Sequence, residues 1–190
     1  MRRMHARRLL LVLALAALAG GCGGDGDFKG SASSPDGYAT YKRDGVSIAY
    51  PEGWRIDRRQ DSDGGSSTRI TPKDQDETPF GLILLSASPD AEKRFKASVK
   101  GRREVMKAAS NAKIDSDEEV DVPGAKEAHR LKATVPPRAG TDPVDVKADS
   151  LDLLRKNGDA LTVVVAAPQR DGDKDELDPA KVIESVRLSG

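Results

Sequence analysis

The sequence has little of what catalytic and metal sites are usually made from. Its 190 residues include one cysteine, Cys22, and two histidines, His5 and His129. So few thiol and imidazole groups cannot supply the several ligands that zinc and other transition metals take, so no metal and no cofactor is expected. Aromatics are scarce too: one tryptophan, three tyrosines and three phenylalanines. They are not interleaved with cations, as a stacking surface for nucleic acid requires. The chain has neither a GxSxG elbow nor a GxxxxGK[ST] loop. A serine nucleophile on a strand-to-helix turn and a Walker phosphate cradle are therefore not expected.

What is present begins with an address. MRRMHARR is followed by LLLVLALAALAGG, a basic head and an apolar run ending at Gly21. A run of about a dozen residues is too short for a permanent bilayer span and fits an export signal over residues 1–21. Arg7 and Arg8 leave twin-arginine export open beside the general route. His5 and four arginines are lost with the signal, so the exported chain keeps 27 of the 31 cations against 31 acids. That mildly acidic balance argues against a general nucleic-acid binder.

Cys22 follows the apolar run directly, in LAGGC. A lone thiol in an oxidising compartment must react, pair with another chain or be capped, and capping by lipid is the economical solution. The stretch resembles a bacterial lipoprotein signal, with Ala19 in the position where such signals usually carry leucine. Cleavage after Ala19, at an A-x-A pattern, is the alternative. Residues 22–40 are rich in Gly, Ser and Asp and are expected to form a flexible tether. Such a coil reaches about 5–6 Å times the square root of its residue number.

Residues 41–190, at the chain's overall 37% hydrophobic content, suffice for one core and one domain. Val46, Ile48 and Tyr50 alternate as one strand face; Pro51 and Gly53 then predict a turn into a hairpin partner starting near Trp54 and Ile56. Trp54 is read as core packing. Strands are predicted near Thr68 to Thr71 and over FGLILLSAS, the latter central. Ser88, Pro89 and Asp90 predict the start of a helix of about twenty residues, docked by Ala91, Phe95, Val99, Met106 and Ala109. Strands follow over 114–122, 125–135 and 144–155; Asn157 and Gly158 predict a hairpin into ALTVVVAA, and Asp178 and Pro179 cap a short helix. This order describes an α+β fold, an antiparallel sheet flanked by helices.

The pieces DGVSIAYPEGW, VDVPGAKEAHRLKAT and DPAKVIESVRL resemble corresponding stretches of the PsbP-like group, which includes Ran-binding import factors and LpqN-type lipoproteins of actinobacteria. The resemblance implies a PsbP-like layered fold and binding or assembly work on other proteins. It brings no catalytic residues.

Candidate chemistry is thin. His129 shares a predicted strand face with Glu127, Leu131 and Ala133 and reads as an edge-of-core or surface residue. Asp117 and Glu119 project from one face and could form an acid pair, with or without His129, in a surface-anchored hydrolase. The acidic stretch 171–178 departs from the EF-hand pattern at its turn glycine and twelfth position, and reads as a solvated loop, as does the stretch around Asp61 and Asp63. The clearest pattern is a cationic stripe, Lys93, Lys96, Lys100, Arg103 and Lys107, beside the docking face of the long helix: either a surface that faces the membrane or an acidic partner, or a solvated face whose charge Glu92 and Glu104 relieve. The expected function is a non-enzymatic, lipid-anchored binding or assembly module on the extracytoplasmic face of the cell membrane, its partner a protein or amphiphilic envelope ligand.

The anchor is directly measurable. Mass spectrometry of native protein is expected to find an acylated Cys22 at the amino terminus, and Cys22→Ser to shift the protein from membrane to soluble fraction. An unmodified polypeptide beginning at Gly20 contradicts the anchor.

Overall fold

The computed structural model describes residues 35–73, 81–110, 112–137, 144–169 and 177–189. The signal, Cys22, residues 23–34 and most of the acidic stretch 171–178 lie outside the described residues. Within them the fold is α+β, mainly antiparallel sheet.

The strands are β1 (Tyr38–Arg43), β2 (Val46–Pro51), β3 (Arg55–Gln60), β4 (Ser66–Thr71), β5 (Leu82–Ser88), β6 (Lys113–Glu119), β7 (Ala125–Val135), β8 (Val146–Arg155), β9 (Ala160–Pro168) and β10 (Arg187–Leu188). Helix α1 (Phe95–Ser110) connects β5 to β6, and α2 (Pro179–Glu184) precedes β10. Seven strands form one sheet in the order β3-β4-β5-β9-β8-β7-β6, and β1-β2-β10 form a second. Every pairing is antiparallel.

The main core fills one face of the large sheet. Ile70, Ile83, Leu153, Val163 and Val165 meet Val46 and Ile48 of β2 and Val182 and Ile183 of α2. Each such side chain contributes about 1.5–3 kcal/mol on leaving water. The α2 cap is as expected: Asp178 Oδ1 accepts from the Ala180 N–H at 3.0 Å, with Pro179 in the first turn. Trp54 packs half-buried against this core, as expected.

Strand β8 is the pivot. Ala148 through Leu154 are all buried, so the strand is covered on both faces. By alternation Asp149, Leu151, Leu153 and Arg155 look toward the main core, whereas Ala148, Ser150, Asp152 and Leu154 look toward α1. Phe95, Leu131 and Leu154 are buried as well but stand outside the main core, in a thinner apolar layer under α1.

Three expectations change. The Val46-to-Ile56 hairpin does not form: β2 pairs with β1 and β10, and the chain leaves Pro51 for the other sheet, where β3 pairs with β4. The hairpin turn is instead Asp44 and Gly45, with φ of 51° and 71°. Two successive positive φ values are what a right-handed two-residue hairpin loop requires, and Asp-Gly supplies them at low steric cost. The first strand starts at Tyr38, within the stretch expected as tether, and Tyr38 and Tyr41 pack against the core. The helix also starts late: Ser88 ends β5, Asp90 has φ 47°, and a 3-10 turn over Glu92–Arg94 precedes α1. The β8–β9 loop holds that entry, since Asp159 Oδ1 accepts from the Asp90 N–H at 3.2 Å and the Gly158 carbonyl from the Ala91 N–H at 2.9 Å.

Two glycines respond oppositely to alanine. A Cβ at buried Gly81 meets Trp54 at 2.7 Å and Leu177 at 3.1 Å, whereas one at Gly101, within α1, meets nothing within 4 Å. Gly81→Ala is expected to lower stability by about 1–3 kcal/mol, and Gly101→Ala to raise it by about 0.8–1 kcal/mol. Urea unfolding of the two variants checks both signs.

Candidate functional site

Helix α1 has three differently composed sides. Its docking side is Phe95, Val99, Arg102 and Met106, spaced three or four apart. Phe95 is buried, and its ring centroid stands 6.3 Å from that of His129 at a 50° tilt. This places His129 at the edge of the thin layer beneath the helix, as the sequence pattern predicts.

Arg102 ties the helix to the sheet. Its Nε donates to Asp152 Oδ2 at 3.0 Å, and its Nη2 stands 2.9 Å from Asp152 Oδ1. Thr162, the register partner of Asp152 on β9, donates its hydroxyl to Oδ1 at 2.6 Å and accepts from Arg102 Nη2 at 3.0 Å. On the opposite face of β8, Asp149 receives Nε and Nη2 of Arg130 at 3.0 and 2.7 Å, and Glu184 of α2 stands 3.6 Å from Nη1. The Asp149 hydrogen bond holds the Arg130 guanidinium above its ordinary pKa, against the opposing effect of burial. None of Arg102, Arg130, Asp149 and Asp152 was anticipated from the sequence. The available signal was DSLDLL, two acids inside a strand otherwise apolar enough to be central.

The second side of α1 carries Lys96, Lys100, Arg103 and Lys107 of the cationic stripe, whose fifth member, Lys93, falls in the 3-10 turn before the helix; all five are exposed. Arg103 Nη1 pairs with Asp117 of β6 at 3.0 Å, and Lys96 stands 3.9 Å from Glu127 of β7 with its own side chain 82% exposed. Lys93, Lys100 and Lys107 have no acid partner among the described residues. The expected relief by Glu92 and Glu104 is replaced by Asp117 and Glu127 on the sheet. Glu92 instead accepts from Lys126 of β7, whose hydrogen bond and charge hold that carboxyl below its ordinary range. Asp117 is thus engaged by a cation, and Glu119 beside it is exposed.

The third side follows from the second. Since Lys96 and Arg103 lean toward β7 and β6, while Arg102 reaches Thr162 of β9, the opposite flank of α1 is on the β9 side of the helix. It carries Ala97, Ser98, Gly101, Val105 and Ala108, all exposed, with Val105 at 65%. Beyond this flank the same sheet face continues as Leu82, Leu84, Val164 and Ala166, which are half-buried. One side of the molecule therefore presents a row of cations and, across the helix, an apolar strip of the sheet.

Among the described residues no group of three His, Cys, Asp or Glu side chains is placed to hold a metal ion, and no helix is long and apolar enough to cross a membrane.

Asp152→Ala leaves the Arg102 guanidinium, 30% exposed, without its acid. The expected loss is about 3 kcal/mol in urea unfolding, and replacing the pair together by Arg102→Met and Asp152→Leu is expected to restore most of it.

No family model and no curated protein matches the chain. Among solved structures it is similar to a Pseudomonas aeruginosa protein of unknown function, with 12% identity, a TM-score of 0.39, and 68% of this chain and 82% of that one covered. It is also similar to a Bacteroides thetaiotaomicron protein, with 16% identity, a TM-score of 0.43, and coverage of 77% and 46%. No functional residue carries over from either.

Proposed function

We propose that the protein is a non-enzymatic extracytoplasmic module, held to the membrane through Cys22, that lays the α1 side of its large sheet on an anionic amphiphilic surface. The PsbP-like layered arrangement belongs to the same proposal. Its support is a central sheet with α1 over one face and α2 with a small sheet over the other.

The observation that carries the reading is the adjacency of two surfaces on one side of the fold. Lys96, Lys100 and Lys107 extend from one flank of α1, and Lys93 is exposed in the 3-10 turn before it. Val105, Leu84 and Val164 offer apolar surface on the other. Anionic head groups with acyl chains behind them complement such a pair, the cations by charge and the strip by burial. A tether of the expected length keeps that side within tens of ångströms of the bilayer, at about 5–6 Å times the square root of the residue number. The hydrolase reading draws no comparable support, because Asp117 is paired with Arg103 and His129 is packed by Phe95.

The mature chain carrying Cys22→Ser is expected to cosediment with phosphatidylglycerol-containing vesicles, to bind phosphatidylcholine vesicles far less, and to release as salt rises. Alanine at each of the four lysines should weaken binding by about 1 kcal/mol. Val105→Ser should weaken it without changing the salt dependence. Equal binding to neutral vesicles, or none to anionic ones, refutes the reading.

A further inference from the structure

The apolar strip beside α1 has a second cationic border on its far side. Strand register follows the sheet face outward from the helix. Arg102 of α1 reaches Thr162 on β9; Thr162 stands opposite Ser86, Ser86 opposite Ser67, and Ser67 opposite Arg59. Two residues along the same strands, Val164 stands opposite Leu84, and Leu84 opposite Arg69. Residues directly opposite one another in an antiparallel pair project to the same face, so Arg59 and Arg69 belong to the face that α1 partly covers. Leu84 therefore has the helix side of the sheet beyond Val164 and, one strand spacing of about 4.8 Å the other way, Arg69.

Both arginines are exposed, and neither has an acid partner among the described residues. Asp57, directly opposite Arg69, accepts from Arg55 Nε at 2.9 Å instead. Arg59 and Arg69 are diagonal neighbours across β3 and β4, a placement about 7–8 Å apart that long side chains bridge. Two guanidiniums brought together without an acid repel, and an anion between them reverses the sign of the interaction. A phosphate diester suits the gap: it carries one negative charge, and its two free oxygens accept from the parallel N–H groups of a guanidinium. A soluble phosphate gains nothing from the half-buried Leu82, Leu84 and Val164 next to the pair. A phospholipid does, because its acyl chains lie behind its phosphate.

We propose that Arg59 and Arg69 hold the phosphate of an anionic phospholipid head group. The strip then meets the bilayer between two cationic borders, the lysines of α1 on one side and this pair on the other. The proposal rests on the membrane-facing reading of α1 and deepens it: a single border leaves the domain free to tip about the helix, whereas two fix the plane in which the large sheet lies.

The test uses the mature chain carrying Cys22→Ser and mixed vesicles of phosphatidylglycerol and phosphatidylcholine. Arg59→Gln and Arg69→Gln are each expected to weaken binding about fivefold, and the double variant about thirtyfold. Arg43→Gln with Lys181→Gln removes the same charge from β1 and α2, on the opposite side of the large sheet. That control is expected to weaken binding by no more than about twofold at 0.15 M salt, where surface charges act over about 8 Å. In phosphatidylglycerol nanodiscs doped with a gadolinium-chelating lipid, the Nε–H resonances of Arg59 and Arg69 are expected to broaden and that of Arg43 to persist. Wild-type protein that ignores anionic vesicles removes the membrane-facing reading and this proposal together. If the wild type binds and the lysine variants of α1 weaken it, but the Arg59 and Arg69 double variant binds no worse than the control, this proposal alone is overturned. Should the double variant fail to fold, the wild-type resonances decide, and unbroadened Arg59 and Arg69 signals in nanodisc-bound protein overturn it.

Discussion

Burial of β8 on both faces is the constraint on which the rest of the structure depends. A strand with apolar cover on each side needs a layer above and a layer below, and the chain supplies α2 with the small sheet on one side and α1 on the other. Two aspartates in that strand then need cations from opposite directions. Arg130 comes from the neighbouring strand and Arg102 from the helix. Polar pairs of this kind add little net stability compared with a well-packed apolar core, but either partner alone is costly. They therefore act as registration pins: a two-residue slip of β8 against β7, or a one-turn slip of α1, leaves a carboxylate and a guanidinium buried apart.

The pinning of α1 explains why its outer sides are free. One narrow side consumes Phe95, Val99, Arg102 and Met106, and the remaining sides are left to solvent. The helix is therefore less a core element than a divider that separates a cationic flank from an apolar one. A domain that only needed its sheet covered would gain from a wider apolar helix face. Here the half-buried Leu82, Leu84, Val164 and Ala166 remain beside the helix instead of beneath it.

Much of this architecture was legible in the chain. Alternation and turn chemistry marked β7, β9, the 156–159 loop and the capped α2, because these rest on local signals such as Asn157-Gly158 and Asp178-Pro179. The partner of β2 was not legible from Pro51 and Gly53, since a turn signal states that the chain bends and not which sheet receives it. Asp44-Gly45 was the stronger hairpin signal and lay at the start of the same stretch. The late start of α1 was also hidden. Ser88, Pro89 and Asp90 have the composition of a helix entry, but the Asp159 carboxylate and the Gly158 carbonyl, in a loop some seventy residues onward, take the N–H groups of Asp90 and Ala91. The cationic stripe was visible as spacing, while its acid partners on β6 and β7 depend on where the sheet edge falls. Nothing local separates an arginine with an acid, such as Arg102, from one without, such as Arg69.

The small sheet has a temporal consequence. Its middle strand, β2, lies between β1, which precedes it directly, and β10, which follows nearly all the rest of the chain; the Ser189 N–H reaches back to the Gly45 carbonyl at 3.0 Å. Loop closure across so long a separation comes late in folding. A chain emerging from a ribosome or a translocation pore amino end first can form the β1–β2 hairpin early, but it leaves one edge of β2 open until the final strand is delivered.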